Sequence, residues 1–234
     1  MSPLRLSSVV SATAVVLAVF PAAPATAAPK CFGRTPTIVG TSGNDRLRGT
    51  AGRDVIQARG GDDDIDGRGG RDLVCGDAGD DFVAGGGGAD KLSGGLDNDV
   101  LSPQRGDDVA RGGLGLDTFI PSGGSDVADG GPGRDDLTFE GRGGPVRADL
   151  DKGTAKFAGV TLRLRRIESI VGSADDDVLR GSDRVDRLFG EGGADRLAGR
   201  SGDDRLDGGS GKDEADGGPG DDRCDAETEH RCEA

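Results

Sequence analysis

The residues best suited to chemistry in this sequence are aspartates that recur every nine residues. From Gly40 to Thr138 the chain divides into eleven consecutive nine-residue units, and from Gly172 to Asp225 it divides into six more. The sixth place of every unit is aspartate, although a random draw from 36 Asp in 234 residues would put it there in about three. These residues are Asp45, Asp54, Asp63, Asp72, Asp81, Asp90, Asp99, Asp108, Asp117, Asp126, Asp135, Asp177, Asp186, Asp195, Asp204, Asp213 and Asp222.

Carboxylates in this pattern favour the binding of a hard divalent cation. The chain contains 36 Asp but only 7 Glu, so the pattern requires the short side chain rather than acidity alone. Glycine fills the fourth place of fourteen units and often the first or second place also. Such glycines allow successive carbonyl groups to turn to one side. Because Ca²⁺ accepts roughly six to eight oxygens in flexible geometry and Mg²⁺ requires a tighter octahedron, we expect the aspartates to bind Ca²⁺.

Each unit also predicts a short strand that would position its aspartate. The eighth place is apolar in every unit, from Leu47 in the first to Cys224 in the last. A six-residue glycine-rich turn followed by three residues with a buried middle one indicates a turn and a three-residue strand. Stacked units would pair these strands in parallel and superimpose their turns. The sequence therefore predicts an all-β solenoid.

The nine-residue unit resembles the haemolysin-type calcium-binding repeat of the repeats-in-toxin (RTX) proteins, written G-G-x-G-x-D-x-U-x. The clearest matches are GGPGRDDLT, GGPGDDRCD, GGGGADKLS and GGLGLDTFI, and the repeats cover about two thirds of the chain. The resemblance implies a right-handed parallel β-roll in which two units form one coil and each ion lies between turns two units apart. It also implies that the sixth-place aspartates supply side-chain ligands while the glycine-rich turns supply carbonyl oxygens.

This implied geometry limits the number of ions. Turns two units apart would offer at most nine positions among the eleven units and four among the six. Thirteen divalent ions would reverse the sign of a chain whose formal net charge is −14, so we expect some positions to bind weakly. The weakest should be the turns PQRGDD and PSGGSD and the turns with Asp97, Asp175 or Arg184 at the fourth place.

The first residues have the composition of an export signal. Arg5 precedes an apolar run from Val9 to Phe20, and Ala25-Thr26-Ala27 is a small-x-small cleavage pattern. Residues 1–27 are therefore predicted to be a secretory signal peptide, and the apolar run is too short for a membrane-spanning helix. We expect a secreted, extracellular protein. Its predicted segments are an N-terminal cap (28–39), repeats (40–138), a bridging β segment (139–171), repeats (172–225) and a C-terminal tail (226–234).

The predicted mature chain is poor in apolar side chains. Leu, Ile, Val and Phe make up 39 of the 207 residues from 28 to 234. A combined content of these four residue types below about 20% of the chain, together with high net charge, is typical of disordered chains. Since a ligand that binds only the folded state shifts the folding equilibrium, we expect Ca²⁺ to be required for folding.

Four cysteines predict two disulfide bonds in an oxidising compartment. Three connectivities are possible, and we favour Cys31 with Cys75 and Cys224 with Cys232, because each bond would then fasten a cap over one open end of the solenoid. An alternative is a transition-metal site of Cys224, His230 and Cys232. That site lacks a fourth ligand, and the compartment favours a disulfide.

Residues 139–171 lack the repeat but retain a strand pattern. Apolar residues alternate with polar ones from Val146 to Leu150 and from Val160 to Leu164, and Asp151-Lys152-Gly153 indicates a turn. We interpret the segment as bridging β structure inside one domain, with a small separate subdomain as the alternative. Its basic cluster, Arg163, Arg165 and Arg166, either faces solvent or docks an anionic polymer.

The sequence presents no catalytic constellation, and we expect a protein that is not an enzyme. Its one histidine, His230, would have to serve in any Ser/His/Asp or Cys/His arrangement and lies in the predicted tail. The acidic chain has no Trp or Tyr, which argues against nucleic acid. We expect a secreted calcium-binding protein with a structural or scaffolding role. The alternatives are a calcium-dependent adhesion module for a cell-surface glycan or protein, and an accessory repeat protein of a secreted hydrolase or lyase.

Overall fold

The computed structural model describes residues 30–232, so the predicted signal peptide lies outside the described residues. Within that range the chain forms twenty-six β-strands and no α-helix. Accordingly, no helix in this part of the chain could span a membrane.

The strands alternate with tight turns along the chain. Those of the N-terminal cap and the first repeat block are β1 (Ile38–Val39), β2 (Arg46–Arg48), β3 (Val55–Gly60), β4 (Asp64–Asp66), β5 (Gly69–Gly70), β6 (Leu73–Ala78), β7 (Phe82–Gly88), β8 (Lys91–Leu96), β9 (Val100–Arg105), β10 (Val109–Leu114), β11 (Thr118–Phe119), β12 (Val127–Asp129) and β13 (Asp136–Thr138). The remaining strands are β14 (Arg147–Asp149), β15 (Thr154–Phe157), β16 (Val160–Arg165), β17 (Ser169–Val171), β18 (Val178–Arg180), β19 (Arg187–Phe189), β20 (Gly192–Gly193), β21 (Arg196–Ala198), β22 (Arg205–Asp207), β23 (Ser210–Gly211), β24 (Glu214–Asp216), β25 (Arg223–Asp225) and β26 (Thr228–His230).

Most of these strands belong to two long sheets that the chain visits in turn. The thirteen-stranded sheet has the order β1-β3-β6-β8-β10-β12-β16-β15-β14-β18-β21-β24-β26. The eleven-stranded sheet includes the order β2-β4-β7-β9-β11-β13-β17-β19-β22-β25, with β5 paired to β7. Strands β20 and β23 pair separately.

The register of the strands shows that two nine-residue units form one coil. Ile56 pairs with Val74 and Val74 with Leu92, so equivalent residues in neighbouring coils lie eighteen positions apart. The pairing within both repeat blocks is parallel. The predicted all-β parallel solenoid is therefore confirmed.

The core of the solenoid is a narrow stack of eighth-place side chains from both sheets. Ile56, Val74 and Leu92 from one sheet and Ile65 and Val83 from the other are all 0% exposed. The stack forms one continuous hydrophobic cluster that runs from Ile56 to Ala215. Each coil therefore contributes two inward-facing side chains, and the coil above and the coil below complete their burial.

Several strands are longer than the three residues that the repeat predicts. Strand β7 contains seven residues and β6 contains six, and both continue into the following glycine-rich turn. Asp77 in that turn pairs with Gly95, eighteen residues later. Because neighbouring coils have nearly identical backbones, their turn residues also meet in pairing register.

The bridging segment replaces one strand of the solenoid with an antiparallel three-stranded insert. Strand β16 pairs in parallel with β12, β15 is antiparallel to both β16 and β14, and β14 pairs in parallel with β18. In the opposite sheet only β17 lies between β13 and β19. Phe139 and Phe157 extend the core here, with ring centroids 5.3 Å apart. The insert thus continues the core and joins the two repeat blocks.

Two disulfide bonds fasten the ends of the solenoid. Cys31 bonds to Cys75, and Cys224 bonds to Cys232, which is the pairing that the sequence favours. Cys31 and Cys75 pack with Val55 and Leu73 in a small cluster separate from the main core. The N-terminal bond therefore anchors the residues before β1 to the sheet.

Candidate metal centres

The sixth-place aspartates form two rows, one along each side of the solenoid. The first row precedes the strands of the eleven-stranded sheet and contains Asp45, Asp63, Asp81, Asp99, Asp117, Asp135, Asp186, Asp204 and Asp222. The second row precedes the strands of the thirteen-stranded sheet and contains Asp54, Asp72, Asp90, Asp108, Asp126, Asp177, Asp195 and Asp213. Every one of them except the half-buried Asp45 is buried. The fold therefore removes almost all of these carboxylates from solvent.

One oxygen of most of these carboxylates links neighbouring coils. The backbone N–H of Asp81 donates to Oδ1 of Asp99 at 3.0 Å, and that of Asp99 donates to Oδ1 of Asp117 at 3.0 Å. The same bond recurs along both rows, for example from Asp204 N to Asp222 Oδ1 at 2.8 Å. This bond holds the stacked coils in register along each row.

The other oxygen of thirteen of these carboxylates has no hydrogen-bond partner among the described protein atoms. These buried Oδ2 atoms belong to Asp63, Asp72, Asp81, Asp90, Asp99, Asp108, Asp117, Asp126, Asp135, Asp195, Asp204, Asp213 and Asp222. A buried charged oxygen without a partner costs more than a neutral one, and native proteins rarely leave such a group unsatisfied. The repetition of these buried, unpartnered oxygens fits the binding of a cation.

The glycines of the turns bring backbone carbonyls close to these oxygens. A methyl group at Gly76 would overlap Asp81 Oδ2 and would come within 2.8 Å of the carbonyl oxygen of Gly94 in the next coil. At Gly88, where φ is +142°, it would overlap the carbonyl oxygen of Gly70 in the previous coil. Glycine at these places therefore preserves narrow spaces lined by carboxylate and carbonyl oxygens.

Burial raises the pKa values of several row aspartates. Desolvation is the largest cause for Asp99, whose pKa rises to about 8, and for Asp81, whose pKa rises to about 7. Neighbouring carboxylates also raise these two pKa values, whereas the backbone N–H that each carboxylate accepts lowers them. The same first cause raises the pKa to about 6 for Asp72, Asp90, Asp108, Asp126, Asp135, Asp195 and Asp204. These buried carboxylates therefore resist ionisation unless a cation compensates their charge.

Two glutamates that the sequence reasoning did not single out end the rows. Glu168 Oε2 accepts the N–H of Asp135 at 3.1 Å, and Glu227 Oε2 accepts that of Asp213 at 2.7 Å. Glu168 precedes β17 in the sixth-place position, which a unit counted back from Gly172 would have revealed. Glu227 has no such signal, because β26 pairs with β24 at an offset of fourteen residues instead of eighteen.

The donor set fits a hard cation better than a transition metal. Among residues 30–232 no three His, Cys, Asp or Glu side chains converge on one point, so a site must combine fewer side chains with backbone oxygens. An all-oxygen set of carboxylates and carbonyls suits Ca²⁺. The alternative site of Cys224, His230 and Cys232 is not supported, because both cysteines are consumed in a disulfide bond.

A model of four copies of the RTX calcium-binding nonapeptide repeat matches the chain over residues 39–74, 76–101, 104–137, 171–206 and 199–228. These stretches include both rows of aspartates and amount to more than half of the chain. No curated protein matches the chain.

Proposed function

Because this chain belongs to the family of RTX calcium-binding nonapeptide repeat proteins, we propose that it is a secreted protein whose solenoid folds on Ca²⁺ and serves a structural or scaffolding role outside the cell. Calcium binding follows from the repeat family. The residues that hold the ions, the dependence of folding on them, and the extracellular role are the proposal.

The observation that carries this proposal is the set of thirteen buried Oδ2 atoms without a hydrogen-bond partner. Each has the Oδ1 of its own carboxylate already fixed by a neighbouring coil, so side-chain rotation cannot relieve it without breaking a hydrogen bond. A divalent cation between two coils would supply the missing charge and would draw on the carbonyl oxygens beside the glycines. We assign metal binding to the sixth-place aspartates, above all to the thirteen with an unpartnered Oδ2, together with the carbonyl groups of their turns.

Ion binding and folding are coupled in this arrangement. Row aspartates of neighbouring coils are eighteen residues apart in the sequence and come together only when the coils are stacked. A ligand that binds the folded state alone stabilises it by mass action. Extracellular calcium modules bind at about 10⁻⁴ to 10⁻³ M, so the fold would form outside the cell and not at cytosolic calcium levels. The disulfide bonds are consistent with the same compartment.

Calcium titration followed by circular dichroism tests the proposal. The purified protein in excess chelator should lack the β-sheet signal. It should gain that signal when Ca²⁺ is added to a free concentration of about 10⁻⁴ to 10⁻³ M. Mg²⁺ at the same concentration should not substitute. A full β-sheet signal in excess chelator at pH 7.5 would contradict the proposal.

A second candidate function is calcium-dependent attachment to an acidic polysaccharide on a cell surface. Its support is a basic face on the insert and the adjoining strand β18, formed by the exposed side chains of Arg147, Lys156, Arg163, Arg165 and Arg180. None of the five makes an ion pair within the described part of the chain, although the formal net charge is −14. Arg147 and Lys156 are direct cross-strand partners, an arrangement of like charges that lowers sheet stability. A linear polyanion laid across these strands would compensate that cost.

Retention on immobilised hyaluronate in Ca²⁺ tests this candidate. The wild-type protein should be retained at low salt and released as salt rises, because screening weakens such contacts. The double variant Arg163→Ser, Arg165→Ser should elute at lower salt. The matched control, Arg48→Ser with Arg53→Ser, removes two exposed arginines from the first block and should elute with the wild type. Equal elution of both variants would rule out the basic face as the docking surface.

A further inference from the structure

Four of the seventeen turns satisfy their aspartate Oδ2 from within the same turn. The second-place N–H donates to Oδ2 of the sixth-place aspartate from Thr41 to Asp45 at 2.6 Å, and from Thr50 to Asp54 at 2.7 Å. The same bond joins Ser173 to Asp177 at 2.6 Å and Ser182 to Asp186 at 2.5 Å. We name these the closed turns, and the other thirteen the open turns. The thirteen unpartnered Oδ2 atoms belong to the open turns alone.

The hydroxyl group of the second-place residue completes each closed turn. Thr50 Oγ1 donates to Asp54 Oδ2 at 2.9 Å and accepts the N–H of Gly52 at 3.1 Å. Ser182 Oγ donates to Asp186 Oδ2 at 2.9 Å and accepts the N–H of Arg184 at 3.2 Å. The hydroxyl therefore connects the carboxylate with the fourth-place N–H, and the turn has no need of an ion to satisfy its own polar groups.

The backbone separates the two kinds of turn without exception. The fourth-place residue has a positive φ in every open turn, even where it is Asp97 (φ 73°) and not glycine. In the closed turns the fourth-place residue has no positive φ, even at Gly43 and Gly52, where glycine would permit one. Asp175 and Arg184 therefore occupy the fourth place in closed turns at no conformational cost, because those turns do not require the left-handed region.

Each closed turn is the first repeat turn of a row segment. Asp45 and Asp54 begin the two rows of the first block. Asp177 and Asp186 begin the two rows of the second block, where the preceding coil belongs to the insert and contains Val146 or Glu168 in place of an aspartate. The preceding coil of a closed turn therefore offers no aspartate with which to share an ion.

We propose that the closed turns of Thr41, Thr50, Ser173 and Ser182 are built-in ends of the ion rows, which exclude Ca²⁺ from Oδ2 of Asp45, Asp54, Asp177 and Asp186. This inference rests on the proposed function. The open turns then hold separate rows of five and four ions in the first block and two and two in the second. The insert prevents the two blocks from sharing a continuous row on either side.

The physical basis of the exclusion is the orientation of one peptide group. A trans peptide holds its N–H and its C=O on opposite sides. When the second-place N–H points at Oδ2, as in the closed turns, the first-place C=O points away and a donor occupies the place where an ion would need an acceptor. A second-place serine is not sufficient alone. Ser122 follows Pro121 instead of glycine, its Oγ accepts from Arg142 Nη2 at 3.3 Å, and Asp126 Oδ2 stays unpartnered.

A crystal structure of the Ca²⁺-saturated wild-type protein, with anomalous scattering to locate the ions, tests the inference directly. Ions should lie within coordination distance of Oδ2 in open turns, and none should lie beside Oδ2 of the four closed turns. An ion at Oδ2 of any closed turn would overturn the inference while leaving calcium binding intact. Ions at neither kind of turn would instead contradict the proposed function.

Variants of Thr50 provide a second test in solution. Thr50→Gly restores the residue of the repeat consensus but has no preceding repeat turn to complete a site, whereas Thr50→Ser keeps the hydroxyl as the matched control. By native mass spectrometry, Thr50→Gly should bind as many Ca²⁺ ions as the wild type, with a thermal midpoint in Ca²⁺ lower by about 2 to 4 °C. Loss of one ion in Thr50→Gly, but not in Thr50→Ser, would show that the hydroxyl is a calcium ligand and would overturn the inference.

Discussion

At the scale of the residue, the sixth-place aspartate of an open turn divides its two oxygens between two tasks. Oδ1 accepts an N–H of the coil before it, and Oδ2, which has no hydrogen-bond partner in the described protein, can bind a cation; in the closed turns Oδ2 instead accepts the N–H of its own turn. The first task stacks the coils without metal, and the second makes that stack unfavourable until the charge is compensated. The same side chain thus both specifies the register of the solenoid and makes its stability conditional.

Substitution of Asp99 by asparagine should affect the ion-free and ion-bound folds in opposite directions. The carboxamide keeps an oxygen for the N–H of Asp81 but removes a charge that is 1% exposed. The ion-free fold should therefore become more stable, while the affinity for Ca²⁺ at the neighbouring sites should fall at least about tenfold, since even residues that only support metal ligands have effects of that size. Chemical denaturation in chelator and calorimetric titration would measure the two changes.

Asp107→Asn is the matched control for Asp99→Asn. Asp107 is adjacent to a row aspartate but is exposed, and its Oδ1 accepts only the N–H of Ser125. Neither stability in chelator nor calcium affinity should change by more than the effect of one surface charge. Equal losses of affinity in the two variants would show that general acidity, not the buried row, determines binding.

The ion-free fold should be most stable at acid pH. Burial raises the pKa of Asp81 to about 7 and that of Asp99 to about 8, from 3.8. Between pH 3.8 and pH 8 the folded state therefore binds more protons than the unfolded state, and its stability falls as pH rises through this window. In chelator, the β-sheet signal should be strongest near pH 4 and should decline toward pH 8. In Ca²⁺ the affinity should increase over the same range, because the ligands must be deprotonated. An ion-free signal that increases with pH would refute this linkage.

The role of the row aspartates could be inferred from their spacing, but their two states could not. An invariant Asp at the sixth place indicates a shared chemical requirement, and in the open turns the structure shows Oδ1 bonded to the preceding coil and Oδ2 buried without a partner. The substitution of Thr or Ser at the second place resembles ordinary variation in the sequence. Its meaning depends on a single peptide orientation, which no periodicity encodes.

At the scale of the element, the glycine-rich turn is the part that tolerates least change. Gly88 has φ +142°, and a methyl group there would overlap the carbonyl oxygen of Gly70. Its neighbour Gly87 has no such φ, and a methyl group there would meet its first neighbour at 3.9 Å. Of these two adjacent glycines, Gly87 therefore has room for a side chain and Gly88 does not.

Gly88→Ala should destabilise the calcium-bound protein severely and Gly87→Ala only slightly. Left-handed strain alone costs about 1 to 3 kcal/mol, and the overlap with Gly70 adds to it, so a loss of at least about 2 kcal/mol in the free energy of unfolding is expected for Gly88→Ala. Denaturant unfolding of both variants in saturating Ca²⁺ would measure it. Similar stabilities would indicate that the turn adapts and that its φ angles are not required.

The strands of the repeats followed from the sequence, whereas the path of the insert followed only in part. Alternation from Val146 and from Val160, with the turn at Lys152, indicates strands with one buried face, and β14 and β16 form there, each antiparallel to β15. Strand β15 (Thr154–Phe157) carries only Ala155 and Phe157 on its buried side, too weak a pattern to predict alone. That β14 would pair with β18, and β16 with β12, depends on the stacking of whole coils, which local alternation does not express.

At the scale of the whole molecule, a single-file core makes stability additive along the solenoid. Each coil contacts its two neighbours and contributes two side chains to the stack, so no coil is buried by residues remote along the axis. Stability in such an array is approximately a sum of coil terms and interface terms. The disulfide bonds protect the first and last coils, which have a neighbour on one side only.

Removal of calcium should expand the molecule as a whole. A compact folded chain of about 200 residues has a radius of gyration near 17 Å, and an elongated solenoid has a somewhat larger one. The unfolded chain approaches about 50 Å, although its disulfide bonds reduce that value. Small-angle X-ray scattering at pH 7.5 should show a larger radius of gyration in chelator than in Ca²⁺. An unchanged radius would indicate that the coils stay stacked without ions.

The unequal numbers of strands in the insert have a geometric consequence for the shape of the protein. Three strands lie between β12 and β18 in one sheet, but only β17 lies between β13 and β19 in the other. At about 4.8 Å per strand, one side is longer by roughly 10 Å, which is close to the usual distance between facing sheets. From this difference we expect the long axis to curve at the wedge, with the longer sheet on the convex side, and we expect a shortened insert to straighten it.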